Sequence, residues 1–376
     1  MATAPSTRPQ SAALPLWPLV AAICLLAALL WTGSLHVVAP MLDMIAAAAS
    51  EPNFYGSALA GAGLLAGGVV AHRLQMKRRP CQGFAQACGS GLWVATLASS
   101  LLGVAISNLV WGWTLSEGTW QPLFVPFVSV SPTVVLMFGA EAKTVLTGGV
   151  LGGLITPPLS VLGADLCSRL TLPPVVGITA GMAVAAVIAF TLCRHLPWLP
   201  SPLHLQRAPA VADVGTGAQK HGPGWLLRRC LADFSEAQFF GSEWASFGLI
   251  AGVVLAYLLN PAMVAYGSGL LPQILVAQAI TAIIAVTLWR GQWARKPFYP
   301  TFVPVVSVAP ACVLTYGGTA VSIVAGAVLG ALLSPPLAAA ISSRLPTDFH
   351  PFIGNVAAMA VATSVIIPPL QLLPGI

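Results

Sequence analysis

The chain has 376 residues, of which 57% are hydrophobic and only 7% are charged, and its net charge is +6. Soluble domains carry about 25% charged residues, so this composition excludes an ordinary soluble fold and makes lipid the solvent for most of the chain. The basic residues are spread over short connecting segments, and we expect no nucleic-acid partner.

The first predicted element is an apolar run at residues 16–35, which follows a polar tail at residues 1–15. The tail holds one basic residue, Arg8, and the run is long for a secretory signal. We therefore interpret residues 16–35 as a retained transmembrane helix behind a cytoplasmic tail. This helix has no counterpart later in the chain.

From residue 50 onwards the sequence repeats itself. "SEPNFYGS" (50–57) returns as "SEAQFFGS" (235–242), "FVPFVSVSP" (124–132) as "FVPVVSVAP" (302–310), and "GGVLGGLITPPLSVL" (148–162) as "GAVLGALLSPPLAAA" (326–340). The two copies cover residues 50–195 and 235–372, and each holds five apolar segments long enough to be membrane helices. We predict an all-α polytopic membrane protein with about 11 transmembrane helices, one N-terminal helix plus two repeats of five.

The predicted segments follow one another in the same order in both copies. They lie near 54–71, 83–109, 122–140, 146–166 and 174–193, and again near 240–258, 266–289, 299–317, 320–341 and 351–372. An odd number of crossings in each copy requires the second copy to enter the membrane from the opposite side. The repeats are therefore predicted to have inverted topology.

The loop charges agree with inversion. With the N-terminus in the cytoplasm, all of the 16 Lys and Arg residues except Arg169 lie inside, as the positive-inside rule requires. Residues 196–234 then form a cytoplasmic linker that ends in a short amphipathic segment, and the C-terminus lies outside. We expect a multi-pass protein of the plasma membrane, here a bacterial inner membrane.

The third segment of each copy contains prolines and hydroxyl groups inside an apolar run, and the fourth contains a proline pair after a hydroxyl group. Broken helices expose backbone groups that can bind a solute near the bilayer midplane. Alternatively, the prolines only bend helices for packing and the serines bond to their own turns. The predicted substrate-binding residues are Pro126, Ser129, Ser131, Pro132, Thr133, Pro304, Ser307, Pro310, Thr156 and Ser334.

Few ionisable groups fall inside the predicted spans, and such groups are candidates for function. Glu243 and Asp165 are the predicted coupling residues, although Asp165 also has the spacing to pair with Arg169 on one helix face. Glu51 and Glu236 are interpreted as helix-start signals, since each follows a serine ahead of an apolar run. Two further polar residues, Asn355 and Gln278, are expected to form interhelical hydrogen bonds.

No phosphate-binding loop, HExxH motif or paired acidic motif occurs in the sequence, so we expect no ATP-driven transport, no catalytic residues, no metal and no cofactor. The expected function is that of a permease, not an enzyme, which moves a small solute or ion through a central site, driven by an ion gradient. The alternative is a passive channel for a small neutral solute; urea transporters resemble this chain in their five-plus-five inverted plan. An intramembrane enzyme and a scaffold are less favoured, and the expected partners are membrane lipid, the substrate and, as an open option, further copies of the chain.

Overall fold

The computed structural model describes residues 44–79, 81–84, 86–114, 121–203 and 222–376, all of which belong to one structural unit. The predicted tail 1–15, the predicted helix 16–35 and linker residues 204–221 lie outside these ranges. The described part is helical and contains no strand. Helices satisfy their own backbone hydrogen bonds, which an apolar solvent requires.

A helix occurs in each of the ten predicted segments. The first copy contains α1 (Ala58–Met76), α2 (Trp93–Trp111), α3 (Val130–Phe138), α4 (Ala142–Arg169) and α5 (Pro174–Cys193). The linker ends in α6 (Pro223–Ala232). The second copy contains α7 (Glu243–Leu259), α8 (Leu271–Leu288), α9 (Val308–Tyr316), α10 (Ala320–Ser342) and α11 (Phe352–Leu370).

Six of these helices are long and apolar enough to cross a membrane: α2, α4, α5, α8, α10 and α11. The short helices are α3 and α9, with nine residues each. At 1.5 Å per residue, nine residues extend about 14 Å, well short of the ~30 Å hydrocarbon layer. The described residues therefore form a membrane-embedded helical unit whose third segments are too short to cross as straight helices.

The first helices of the two copies, α1 and α7, cross at a pair of glycines. A methyl group on Gly63 would lie 2.0 Å from the carbonyl oxygen of Gly248, and a methyl group on Gly248 would lie 2.0 Å from that of Gly63. On one side of this crossing Gly67 faces the backbone of Trp244, and on the other Gly252 faces that of Leu59. Residue numbers rise along α1 as they fall along α7, so these corresponding helices are antiparallel.

The last helices of the two copies, α5 and α11, also pack antiparallel. Arg194, just after the end of α5, forms an ion pair with Asp348, just before the start of α11. The rings of Phe190 and Phe349 lie 5.9 Å apart at the same end. Within each copy the packing is alike, because α2 contacts α3 and α4 just as α8 contacts α9 and α10.

Candidate functional site

Each copy opens with the same hydrogen-bonded turn. The Ser50 hydroxyl donates to the carbonyl of Ser57 (2.9 Å) and accepts from its N–H (2.8 Å). In the second copy, Ser235 and Ser242 form the same pair of bonds, at 3.0 and 3.1 Å. The hydroxyls of Ser57 and Ser242 then cap α1 and α7 by accepting from first-turn N–H groups. The helices therefore begin after the second serine of each turn.

Two acidic and two aromatic residues lie inside these turns. The interpretation as helix-start signals holds for Glu51 only in part, because Glu51 begins the 3-10 helix Glu51–Asn53 after Ser50 but precedes α1 by several residues. It is wrong for Glu236, which follows the 3-10 helix Asp233–Ser235 and also lies several residues before α7. Phe54 and Phe239 have left-handed backbones, with φ of 66° and 64°. Such a backbone costs an L-residue about 1–2 kcal/mol and is typical of functional positions.

The two turns meet through the side chains of Asn53 and Gln238. The Gln238 amide donates to the Asn53 side-chain oxygen (2.6 Å) and to the carbonyl of Ala49 (2.9 Å). The Asn53 amide donates in turn to the carbonyl of Phe234 (2.9 Å), which is the residue equivalent to Ala49. The contacts are reciprocal, as at the crossing of α1 and α7.

The third segment of each copy is broken at a serine. A short 3-10 helix, Val125–Val128, ends at Ser129, whose backbone (φ −130°, ψ −116°) separates it from α3. The second copy has 3-10 helix Val303–Val306 and a break at Ser307 (φ −136°, ψ −83°) before α9. The sequence predicted that these helices are interrupted, and the interruption lies at the serine that both motifs share, Ser129 in the first copy and Ser307 in the second.

The predicted substrate-binding residues are packed among helices and are not part of the cavity lining described below. Ser129 and Ser307 donate to the carbonyls four residues earlier, at 2.6 and 2.7 Å. Thr133 likewise bonds to its own turn, while Thr156 lies 3.4 Å from the Ser129 hydroxyl. All ten are buried: Pro126, Ser129, Ser131, Pro132, Thr133, Pro304, Ser307, Pro310, Thr156 and Ser334. Their role in binding stays a prediction.

Ser131 and Ser334 are buried hydroxyls whose oxygens have no hydrogen-bond partner in the described part of the chain. Ser131 is held closely between two helices, because a methyl group on Gly103 or Gly152 would lie 2.2 or 2.1 Å from its oxygen. Its counterpart Ala309 is also buried. The hydroxyl group that the first copy has at this position, and that the second copy lacks, therefore lies in a packing contact between α2, α3 and α4.

The proline pairs of α4 and α10 lie inside continuous helices, and a tryptophan satisfies the carbonyl that the first proline of each pair leaves without a donor. Pro157 has no N–H for the carbonyl of Gly153, and the indole of Trp111 donates to that carbonyl at 3.2 Å. In the second copy, Pro335 has no N–H for the carbonyl of Ala331, and the indole of Trp289 donates to that carbonyl at 2.9 Å.

A cavity of about 390 Å³ lies between the two copies. It is bordered by the opening turns, by the 3-10 helices of the third segments and by the first turns of α5 and α11. The lining residues are Glu51, Pro52, Phe54, Phe124, Val128, Pro173, Pro174, Val175, Ile178, Thr179 and Met182 from the first copy, and Glu236, Ala237, Phe239, Tyr266, Phe302, Val306, Ala311, Leu314, Thr315, Phe352, Asn355, Val356 and Met359 from the second.

Most of the lining consists of corresponding residues from the two copies. The repeated pairs are Glu51 and Glu236, Phe54 and Phe239, Phe124 and Phe302, Val128 and Val306, and Met182 and Met359. The predicted third segments thus border the cavity, but through Phe and Val side chains and not through their serines. Apolar walls with a few polar groups are typical of small-molecule sites.

The two lining carboxylates are engaged by other side chains. Glu51 accepts a hydrogen bond from the hydroxyl of Tyr266 at 2.7 Å. Glu236 accepts from the Arg229 guanidinium at 2.6 Å and from the Gln86 amide at 3.0 Å. The equivalent glutamates therefore belong to the lining of one cavity, and their carboxylates have different partners.

Arg229 belongs to a fully buried ion cluster. Its guanidinium also pairs with Asp233 at 2.5 Å, and all three side chains have no exposed surface. The guanidinium lies 4.9 Å from the ring of Phe84 and 4.7 Å from that of Trp293. This cluster anchors the linker helix α6 to one wall of the cavity.

Neither predicted coupling residue lines the cavity. Glu243 is the first residue of α7 and pairs with Arg228 at 2.7 Å. Asp165 forms the predicted i,i+4 pair with Arg169 at 2.8 Å, and both side chains are exposed at the end of α4. That pair is confirmed, and a role in coupling stays a prediction for both residues.

Within the described ranges, no three His, Cys, Asp or Glu side chains come together as metal ligands. Comparisons of the chain with protein-family models, with curated proteins and with solved structures found no match.

Proposed function

We propose that the chain is a permease that conducts a small neutral solute across the membrane through the central cavity, without altering it chemically. The observation that carries this proposal is the cavity itself, which corresponding residues of both copies line with aromatic and aliphatic side chains. A volume of about 390 Å³ suits a small molecule. Apolar walls disfavour an ion, because desolvating a charge without partners is costly.

The proposed membrane arrangement is one of two inverted five-segment repeats. It is supported by the antiparallel packing of α1 with α7 and of α5 with α11, and by the loop charges. In this arrangement the N-terminus lies in the cytoplasm of a bacterial cell and the C-terminus lies outside. In this arrangement the third segment of each copy consists of a 3-10 helix followed by the short helix α3 or α9. The broken backbone between the two lies inside the protein, where other protein groups or water cover it.

Single-cysteine labelling tests the arrangement. Arg78→Cys and Ala294→Cys should react only with reagent on the cytoplasmic side, and Ser268→Cys only from outside; all three residues are exposed. Residues 78 and 268 follow the corresponding helices α1 and α7. Labelling of both from the same side would contradict inversion.

Passive conduction is the form that we favour, because the predicted coupling residues Glu243 and Asp165 lie away from the cavity. Proteoliposomes should therefore equilibrate solutes such as urea, acetamide or glycerol faster than protein-free liposomes. The rate should not change with an imposed proton or sodium gradient. Glu243→Gln and Asp165→Asn should conduct at the rate of the unaltered protein.

Ion-coupled transport is the second candidate, and two acidic residues of the cavity lining, Glu51 and Glu236, favour it, although the Glu236 side chain itself is fully buried. It predicts accumulation of solute above equilibrium when a gradient is imposed, and loss of accumulation in Glu51→Gln or Glu236→Gln. Accumulation would rule out a simple channel. A folded protein that conducts none of these solutes would contradict both forms of the proposal.

A further inference from the structure

Six polar side chains line the cavity, and five of them already have hydrogen-bond partners. Glu51 and Tyr266 bond to each other, and Glu236 is held by Arg229 and Gln86. Thr179 and Thr315 each donate to the carbonyl four residues earlier, both at 2.7 Å. The sixth is Asn355.

Asn355 lies in the first turns of α11 and is only 6% exposed. In the described part of the chain its side-chain amide makes no hydrogen bond, although it borders the cavity. Gln278, the other amide predicted to bond between helices, bonds at both ends: it accepts from Tyr55 at 2.8 Å and donates to the carbonyl of Asn53 at 3.2 Å. Gln278 thus bonds from α8 to the turn that precedes α1 and not to another membrane helix, and among the described residues Asn355 has no partner on a neighbouring helix.

The two copies differ in polarity at this position. The corresponding residue of the first copy is Ile178, which lines the cavity and is equally buried. The Asn355 amide opens into the cavity, where only molecules inside the cavity can bond to it, so a residue with a purely packing role would be better served by isoleucine. A molecule inside the cavity that bonds to the amide would supply the hydrogen bonds that the amide lacks.

We infer that Asn355 is a specificity-determining residue, which binds a small uncharged solute that both donates and accepts hydrogen bonds. The side-chain oxygen of an asparagine accepts and its NH₂ group donates, so such a solute can bond to both ends of the amide. The surrounding apolar walls supply contact without competing partners. This inference rests on the proposed function, since it assigns the residue that selects the solute in the same cavity.

The test compares acetamide flux into proteoliposomes with thermal stability in detergent, for the full chain and for Asn355→Ile. We expect acetamide flux to fall about tenfold, the equivalent of about 1.4 kcal/mol. We expect the melting temperature to stay the same or rise, because the substitution removes no hydrogen bond within the described part of the chain. A residue with a structural role would instead lose stability when replaced.

Further variants keep the test decisive. Asn355→Ala covers the case in which isoleucine prevents folding, and Asn355→Gln should retain most of the flux because it keeps both bonding groups. The exchange variant Ile178→Asn with Asn355→Ile moves the amide to the corresponding place on α5 and should recover flux. If the unaltered protein conducts acetamide and folded Asn355→Ile and Asn355→Ala conduct it equally well, the inference is wrong while the proposed function stands. If the unaltered protein conducts none of acetamide, urea and glycerol, the proposed function itself fails.

Discussion

Trp111 and Trp289 show how single side chains allow proline pairs to sit inside long membrane helices. Each indole N–H donates to a carbonyl that a proline four residues later cannot serve. In an apolar environment an unsatisfied carbonyl is costly, so each tryptophan replaces the donor that the first proline of its pair removes. Both α4 and α10 continue through their proline pairs.

Trp111→Phe and Trp289→Phe should each lower the free energy of unfolding by about 1–3 kcal/mol, because each leaves a carbonyl without its donor. The loss would be measured as a lower melting temperature in detergent. Trp113→Phe is the matched control, since the Trp113 indole bonds to a carbonyl (2.6 Å) but is 79% exposed. Pro157→Ala restores the N–H that can bond to the Gly153 carbonyl. In that background, Trp111→Phe should lower the free energy of unfolding by a smaller amount. Equal losses for Trp113→Phe and Trp111→Phe would contradict this explanation.

The sequence predicted the positions of these prolines but not their partners. Tryptophan is common at membrane interfaces, and only the tertiary packing shows which carbonyl the indoles of Trp111 and Trp289 reach. The sequence likewise did not predict that Phe54 and Phe239 line the cavity. In a membrane protein an apolar residue that faces a cavity has the same composition signal as one that faces lipid, although the repetition of "SExxFxGS"-like turns in both copies could have drawn attention to them.

At the scale of elements, α6 is held by its buried arginine. The helix has an exposed side with Leu227, yet Arg229 enters the protein, where it meets Asp233 and Glu236. Burial of charges is tolerated only when they are paired and hydrogen-bonded. Because Glu236 also lines the cavity, the end of the linker is physically connected to the proposed pathway.

Arg229→Met should lower the free energy of unfolding by about 3–5 kcal/mol, because it leaves two buried carboxylates without a cation. Thermal denaturation in detergent measures this loss. Adding Glu236→Gln to Arg229→Met should recover part of it, since one negative charge is then removed. Arg344→Met, at an exposed position, serves as control, and a loss no larger than that of the control would show that the cluster does not anchor α6.

The crossing of α1 and α7 is the second feature at this scale. Gly63 and Gly248 bring the two backbones so close that neither position has space for a methyl group. Small residues allow membrane helices to approach in this way. Because the contact is reciprocal, the same change on either helix should have the same effect.

Gly63→Ala and Gly248→Ala should each reduce stability by about 1–3 kcal/mol or more, because the added methyl group must push two backbones apart. The measurement is the melting temperature together with the fraction of monodisperse protein on size-exclusion chromatography. Gly224→Ala in α6 is the control, since a methyl group there has no neighbour within 4 Å. A clear difference between the two crossing variants would contradict the reciprocal contact.

At the scale of the whole molecule, the repeated sequence segments predicted where the helices lie. The position of the cavity depends instead on how the two copies pack against each other. Every predicted segment of the two copies contains a helix, because apolar length and repetition are strong signals. The cavity, in contrast, is formed by Phe54, Phe124, Val128 and their counterparts across the two copies. Three of the six hydroxyl groups that looked functional in the sequence, those of Ser129, Thr133 and Ser307, are bonded to their own backbone, which a sequence cannot distinguish from a role in binding.

The central claim is that solute passes through this cavity, and blocking the cavity chemically tests it most directly. Val306 lines the cavity, whereas Val305 lies in the same 3-10 turn and does not. Acetamide flux into proteoliposomes would be measured for Val306→Cys, Val305→Cys and the unaltered protein before and after a small methanethiosulfonate reagent. We predict that flux falls to the rate of protein-free liposomes in Val306→Cys alone. Complete labelling of Val306→Cys with unchanged flux would contradict the claim that the cavity is the pathway.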